Sequence, residues 1–252
     1  MSNEADAHTM QPTLAGKRAI VTGGTTGIGR AIAVLLASYG VTVYICGRDP
    51  QHLNDARQRI AEVGQGDGLT IDLAEADNVK RFFEAGIDYL GGLDIAVINA
   101  AIPIEGLTKL SEADLRYAIA TDFTAYLLSA HAAAEALKDH GNIVFIGSMA
   151  AHVLGGQSSV YAGIKSGIQG FAEALRKELA PKDIHVTNIE PGKTGADFQY
   201  GSFTAEEQAE AIRKEEMLRA EDIAVGLHYV LTQPRRAVVQ QLTIAPRGQP
   251  KE

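Results

Sequence analysis

From Lys17 onward, short β-branched apolar runs alternate with longer stretches in which apolar residues recur every three or four positions. The runs at 18–22, 41–46, 69–71, 95–98, 143–146, 186–189 and 238–244 read as seven strands, the first six apolar enough to be covered on both faces. The intervening periodicity predicts helices over 27–39, 51–63, 76–89, 112–138, 159–179 and 221–232. Repeated strand–helix–strand units of this kind predict an α/β, doubly wound fold with a mainly parallel, seven-stranded sheet. Residues 1–12 are polar and aperiodic and read as a flexible lead-in. The remainder, 13–252, reads as one domain in which the long insertion 193–218 has the position of a lid.

The chain has 252 residues, 46% of them hydrophobic, enough for one substantial core. Its net charge of -8 is spread along the sequence without a basic stripe, which disfavours a nucleic-acid partner. No apolar run reaches the roughly 20 residues that span a bilayer, so no membrane role is expected. The single cysteine, Cys46, rules out an intrachain disulfide and suits a reducing, cytoplasmic setting.

Chemistry enters at the first strand–helix junction, Thr22-Gly23-Gly24-Thr25-Thr26-Gly27-Ile28-Gly29. Glycines there let the backbone turn sharply and let a pyrophosphate approach the free amides of a helix N-terminus. In this strand–loop–helix context the segment reads as a Rossmann-type dinucleotide loop with Gly23, Thr25, Thr26, Gly27, Ile28 and Gly29 as expected contacts, although its spacing departs from GxGxxG and glycines also serve simply to turn and cap. Where such folds choose between cofactors, at the end of the second strand, the chain carries Arg48 in place of an acidic residue. A guanidinium there would pair with a 2′-phosphate and favours NADP(H). If Arg48 were instead an ordinary surface residue and Asp49 held the ribose hydroxyls, the preference would be NAD(H).

Tyr161 and Lys165 stand four apart on a predicted helix and so share a face. An ammonium beside a phenol favours phenolate and would bring its pKa toward the working range. Ser148 ends the fifth predicted strand, at the edge of the sheet where open α/β folds place ligands, and its hydroxyl could hold a carbonyl oxygen. With TGxxxGxG at 22–29, Asn99-Ala100-Ala101, Ser148, Tyr161-x-x-x-Lys165 and Pro191-Gly192 in this order, the chain resembles the short-chain dehydrogenases/reductases from Leu14 to its C-terminus.

That resemblance implies hydride transfer between nicotinamide and a carbonyl or alcohol. Tyr161 would be the acid/base and Ser148 the substrate-oxygen anchor, while Lys165 would tune the tyrosine and bind the nicotinamide ribose. It also assigns Asp72, Leu73, Asn99, Ala100, Pro191, Gly192 and Thr194 to the cofactor, and implies a homodimer or homotetramer built on the two long helices. One departure matters most. Asp122 stands where relatives carry an asparagine that supports the proton relay to the lysine, and an ionised carboxylate cannot donate a hydrogen bond.

For substrate, Met149, His152, Gln157 and Phe198 lie on the segments expected to meet at the sheet's edge. No arginine pair stands beside Ser148, so a neutral small or medium ketone, aldehyde or alcohol is the expected substrate class. Two other functions use the same residues: a 3-oxoacyl-thioester reductase, and a sensor that binds NADP(H) without turnover.

Overall fold

The computed structural model describes residues 12–137, 141–155, 158–195 and 203–248. The element order is β1 (Arg18–Val21), α1 (Gly27–Ser38), β2 (Thr42–Gly47), α2 (Pro50–Ala61), β3 (Gln65–Thr70), α3 (Ala76–Leu90), β4 (Ile95–Ile98) and α4 (Glu112–Ile119). A π-helical turn at Ala120–Thr124 leads into α5 (Ala125–Ala136), β5 (Asn142–Ile146), α6 (Ser159–Leu179) and β6 (His185–Pro191). The chain closes with β7 (Thr194–Gly195), α7 (Ala205–Arg213), β8 (Leu218–Arg219), α8 (Ala220–Leu231) and β9 (Gln241–Ile244).

Seven strands form one all-parallel sheet in the order β3-β2-β1-β4-β5-β6-β9, the doubly wound Rossmann-type arrangement. Alternation along each strand sends side chains to two separate cores. Ile20, Ala96, Ile98 and Phe145 meet α3, α5 and α6 on one face. Ala19, Val21, Val97 and Val144 meet α1, α2 and α8 on the other. The chain reverses direction across the sheet between β1 and β4, so the loops leaving these two strands diverge and open a crevice at their carboxyl ends.

Three expectations change. The third strand begins at Gln65, and its Gln-Gly-Asp-Gly start, with no residue fully buried, departs from an apolar strand covered on both faces. A Cβ on Gly68 would stand 2.5 Å from the Ile45 carbonyl oxygen and 2.8 Å from the Leu53 side chain, so glycine lets α2 lie close over this edge strand. The final strand is shorter, Gln241–Ile244. The long helix over 112–138 is interrupted by the π turn, which inserts Asp122 at its centre. Within the insertion, α7 and the two-residue β7–β8 pairing tie its described ends together. The lead-in through residue 11 lies outside the described residues, as do Gln157 and Phe198. Among the described residues no helix is long and apolar enough to cross a membrane.

Candidate active site

The loop leaving β1 is held from both sides. Thr22 Oγ1 accepts the amides of Asn99 (2.8 Å) and Ala100 (3.1 Å), while Asn99 Nδ2 donates to the carbonyls of Thr22 (3.1 Å) and Gly23 (3.2 Å). Asn99 therefore braces the loop. Gly23 turns at φ 64°, and a Cβ on Gly29 would stand 2.1 Å from the Gly23 oxygen, so α1 can start against the loop only with glycine there. Thr26 does not cap α1 with its side chain and the first turn holds no acidic residue, leaving the positive end of the helix open to an anion.

A cavity of about 560 Å³ runs from this loop past Arg48, Asp72 and Leu73 to Asn99 and Ala100. Asp49 is engaged elsewhere: it caps α2, its Oδ1 accepting the amides of Gln51 (2.7 Å) and His52 (2.9 Å), which holds its carboxyl below the usual range. Ile28, Asn99, Ala101, Ile102 and Pro103 also wall a second cavity of about 500 Å³, whose far side carries Ser148, Met149, Tyr161, Lys165, Pro191, Gly192 and Thr194. Of the four residues singled out for catalysis from the sequence, Ser148, Tyr161 and Lys165 thus face one space that shares a wall with the first cavity, while Asp122 is buried behind that wall and does not line it.

Ser148 hydrogen-bonds Tyr161 and accepts the Ala150 amide (3.1 Å), which fixes the turn leaving β5. Lys165 is buried, 2% exposed. Its Nζ donates to the Ile146 carbonyl (3.1 Å) and to Tyr126 Oη (3.3 Å), with the Tyr161 ring centroid 5.6 Å away. Burial raises the Tyr161 pKa above its ordinary value, the Ser148 bond works against this and the Asp122 charge adds to it. The Lys165 ammonium, expected to lower this pKa, is hydrogen-bonded to Tyr126 and the Ile146 carbonyl. Tyr126, fully buried on α5, escaped sequence reasoning since a tyrosine in the interior of an apolar, alanine-rich helix reads as core.

Asp122 is fully buried in the π turn. Its Oδ1 accepts the Ile102 amide (2.9 Å), tying the helix to the wall shared by both cavities, and its Oδ2 has no hydrogen-bond partner. Burial pushes its pKa up to about 6, against the pull of Lys165 and the Ile102 amide. His152 departs from the substrate expectation. Its Nε2 lies 3.0 Å from Oε2 of the fully buried Glu190, and that carboxylate also accepts from Gln241 and Asn188, so the imidazole serves the β6–β9 seam, away from the cavity wall.

A glycine-rich strand–helix loop at the switch point, beside a Ser–Tyr–Lys cluster, defines a nicotinamide-dependent oxidoreductase architecture. The family profile described as short chain dehydrogenase matches residues 17–207. An uncharacterized oxidoreductase of Staphylococcus epidermidis is 29% identical over 233 residues, covering 91% of this chain and 97% of its own. Among solved structures, a short-chain dehydrogenase from Burkholderia cenocepacia in complex with NADP superposes with a TM-score of 0.83 at 31% identity, covering 93% of this chain and 98% of that one. A dehydrogenase/reductase from Sinorhizobium meliloti gives 0.83 at 30% identity over 92% and 96%. The chain belongs to the short-chain dehydrogenase family, and it is an oxidoreductase that acts on small molecules with a nicotinamide cofactor.

Proposed function

We propose that the protein is an NADP(H)-dependent carbonyl reductase or alcohol dehydrogenase, with Tyr161 as acid/base. The observation that carries this is the convergence of Ser148, Tyr161 and Lys165 on a cavity that shares a wall with the dinucleotide crevice. A bound NADPH would supply the hydride. Ser148 would donate to the substrate oxygen and Tyr161, its phenol kept protonated by burial, would deliver the proton that completes the alcohol. Lys165, steadied by Tyr126 and Ile146, would offer its ammonium to the nicotinamide ribose. Thr194, fully buried and bonded to the Gly192 carbonyl, would border the nicotinamide with Pro191 and Gly192.

The NADP(H) preference rests on Arg48 in the adenosine end of the crevice and on the engagement of Asp49 as a helix cap. The Burkholderia relative's NADP complex agrees with it. A panel of neutral ketones and aldehydes run with NADPH and NADH tests the proposal. Turnover with a higher kcat/KM for NADPH is expected, with Arg48→Ala lowering that ratio roughly tenfold or more through loss of a charge-assisted phosphate contact. An unchanged ratio in Arg48→Ala would remove the residue from cofactor choice. The buried Asp122, with its unpartnered oxygen beside Lys165, favours one second reading, a sensor that binds NADP(H) without turnover; the same panel would then give binding and no cofactor oxidation.

The loop geometry gives a separate prediction. In Gly29→Ala the new methyl would meet the Gly23 oxygen and Asn99 Nδ2, and the loop must shift. Overpacking of this kind costs about 1–3 kcal/mol. Titration calorimetry should show NADPH affinity reduced at least tenfold. Wild-type affinity in the variant would show that the loop does not hold the pyrophosphate.

A further inference from the structure

Tyr117, on α4, plays no part in the sequence pattern that identifies the family, yet it links two charged residues of the cofactor crevice. Its Oη accepts from Arg48 Nη1 at 2.6 Å and donates to Asp72 Oδ2 at 2.7 Å. The direction of both bonds is forced. A guanidinium only donates, an ionised carboxylate only accepts, and the phenol has one proton, which goes to Asp72. Asp72 is in turn fixed, its Oδ1 accepting the Ala74 amide (3.0 Å) and its backbone carbonyl accepting from Asn78 (2.9 Å). The Arg48 guanidinium also lies 5.8 Å from the Tyr117 ring centroid.

We propose that Tyr117 is a specificity-determining positioning residue: it holds the exposed Arg48 guanidinium at the adenosine end of the crevice, where a 2′-phosphate would bind, and so enforces the choice of NADP(H). This rests on the NADP(H) reading above. The interposed phenol has two physical consequences. Arg48 is anchored by a neutral group, and among the described residues it forms no direct ion pair, so its charge is left for the phosphate. One N–H is committed to Tyr117, and the remaining donors stay available for a bidentate phosphate contact. Without the anchor, a long exposed side chain must be ordered at the moment of binding, and the entropy lost then weakens the complex.

The test is a double-mutant cycle on Kd for NADPH and for NADH, using wild type, Tyr117→Phe, Arg48→Ala and the double variant. Phenylalanine keeps the ring and removes only the hydroxyl. Tyr117→Phe is expected to weaken NADPH roughly tenfold, the scale of a hydrogen bond to a charged group, while leaving NADH close to wild type. Added to Arg48→Ala, it should cost NADPH nothing further. The ratio of the two affinities remains readable if the variant is less stable, since unfolding affects both cofactors equally. Equal losses for NADPH and NADH, or additive losses in the double variant, would overturn the positioning role. A wild-type preference for NADPH that Arg48→Ala abolishes and Tyr117→Phe leaves intact would overturn this inference alone. A wild type without that preference, or one whose preference survives Arg48→Ala, would bring down the NADP(H) reading and this inference with it.

Discussion

Tyr161→Phe is expected to lower kcat for carbonyl reduction by roughly 10²–10⁴-fold, the range of a positioned general acid, with little change in Kd for NADPH. The phenylalanine ring keeps the packing in the cavity wall and the face toward Lys165, so only the proton donor is lost. Because burial and the Asp122 charge hold the phenol above its ordinary pKa, the wild-type hydroxyl is protonated at neutral pH and suited to reduction. Ser148→Ala should act in the same direction through a second route. It removes the donor for the substrate oxygen and also the hydrogen bond that offsets part of the tyrosine's upward shift. Steady-state kinetics with a panel ketone measures both; a Tyr161→Phe enzyme retaining more than a tenth of wild-type kcat would remove the tyrosine from the chemistry.

Asp122→Asn should change both the pH profile and the stability. The carboxylate raises the Tyr161 pKa, so replacing it with a neutral amide lets phenolate form at lower pH. The tyrosine-governed limb is expected to move to lower pH for both reaction directions: reduction falls off earlier on the alkaline side, and oxidation rises earlier. Superimposable profiles would leave Asp122 with no part in tuning the site. The stability effect follows from linkage. Folding raises the Asp122 pKa from 3.8 to about 6, so the protein is favoured below pH 3.8 and loses that contribution as pH rises through about 6. At pH 8 the loss amounts to about 3 kcal/mol at most, and asparagine escapes it. The Tm of Asp122→Asn relative to wild type should therefore climb by several degrees between pH 4 and 7 and then level off.

Sequence reading carried the parts of the molecule that local physics dictates. Alternating apolar runs located most of the strands, and the glycines at 23, 27 and 29 located the crevice because close backbone approach at 23 and 29 and a positive φ at 23 and 27 require glycine. Tyr161 and Lys165 were legible through their helical spacing. What escaped depended on long-range packing. β3 is held by its register with β2 and by the close approach of α2 over two glycines, neither of which gives an apolar signal. The π turn leaves the 3.6-residue periodicity of its flanks intact, so Asp122 could be named while its buried environment could not. Tyr117 and Tyr126 meet partners far away in the chain, Arg48 and Asp72 for the first and Ile146 and Lys165 for the second. The turn of His152 toward Glu190 likewise depends on a carboxylate 38 residues distant that β6 carries inward.

In the proposed function a hydride passes to a carbonyl carbon in the cavity lined by Ser148 and Tyr161. NADPH deuterated at the transferring C4 position, incubated with a turned-over ketone from the panel, tests it most directly. One deuterium on the carbinol carbon is expected for each cofactor oxidised in wild type, with the amount formed in the same time lowered roughly 10²–10⁴-fold in Tyr161→Phe. Saturable NADPH binding with no deuterium in any product across the panel would contradict it.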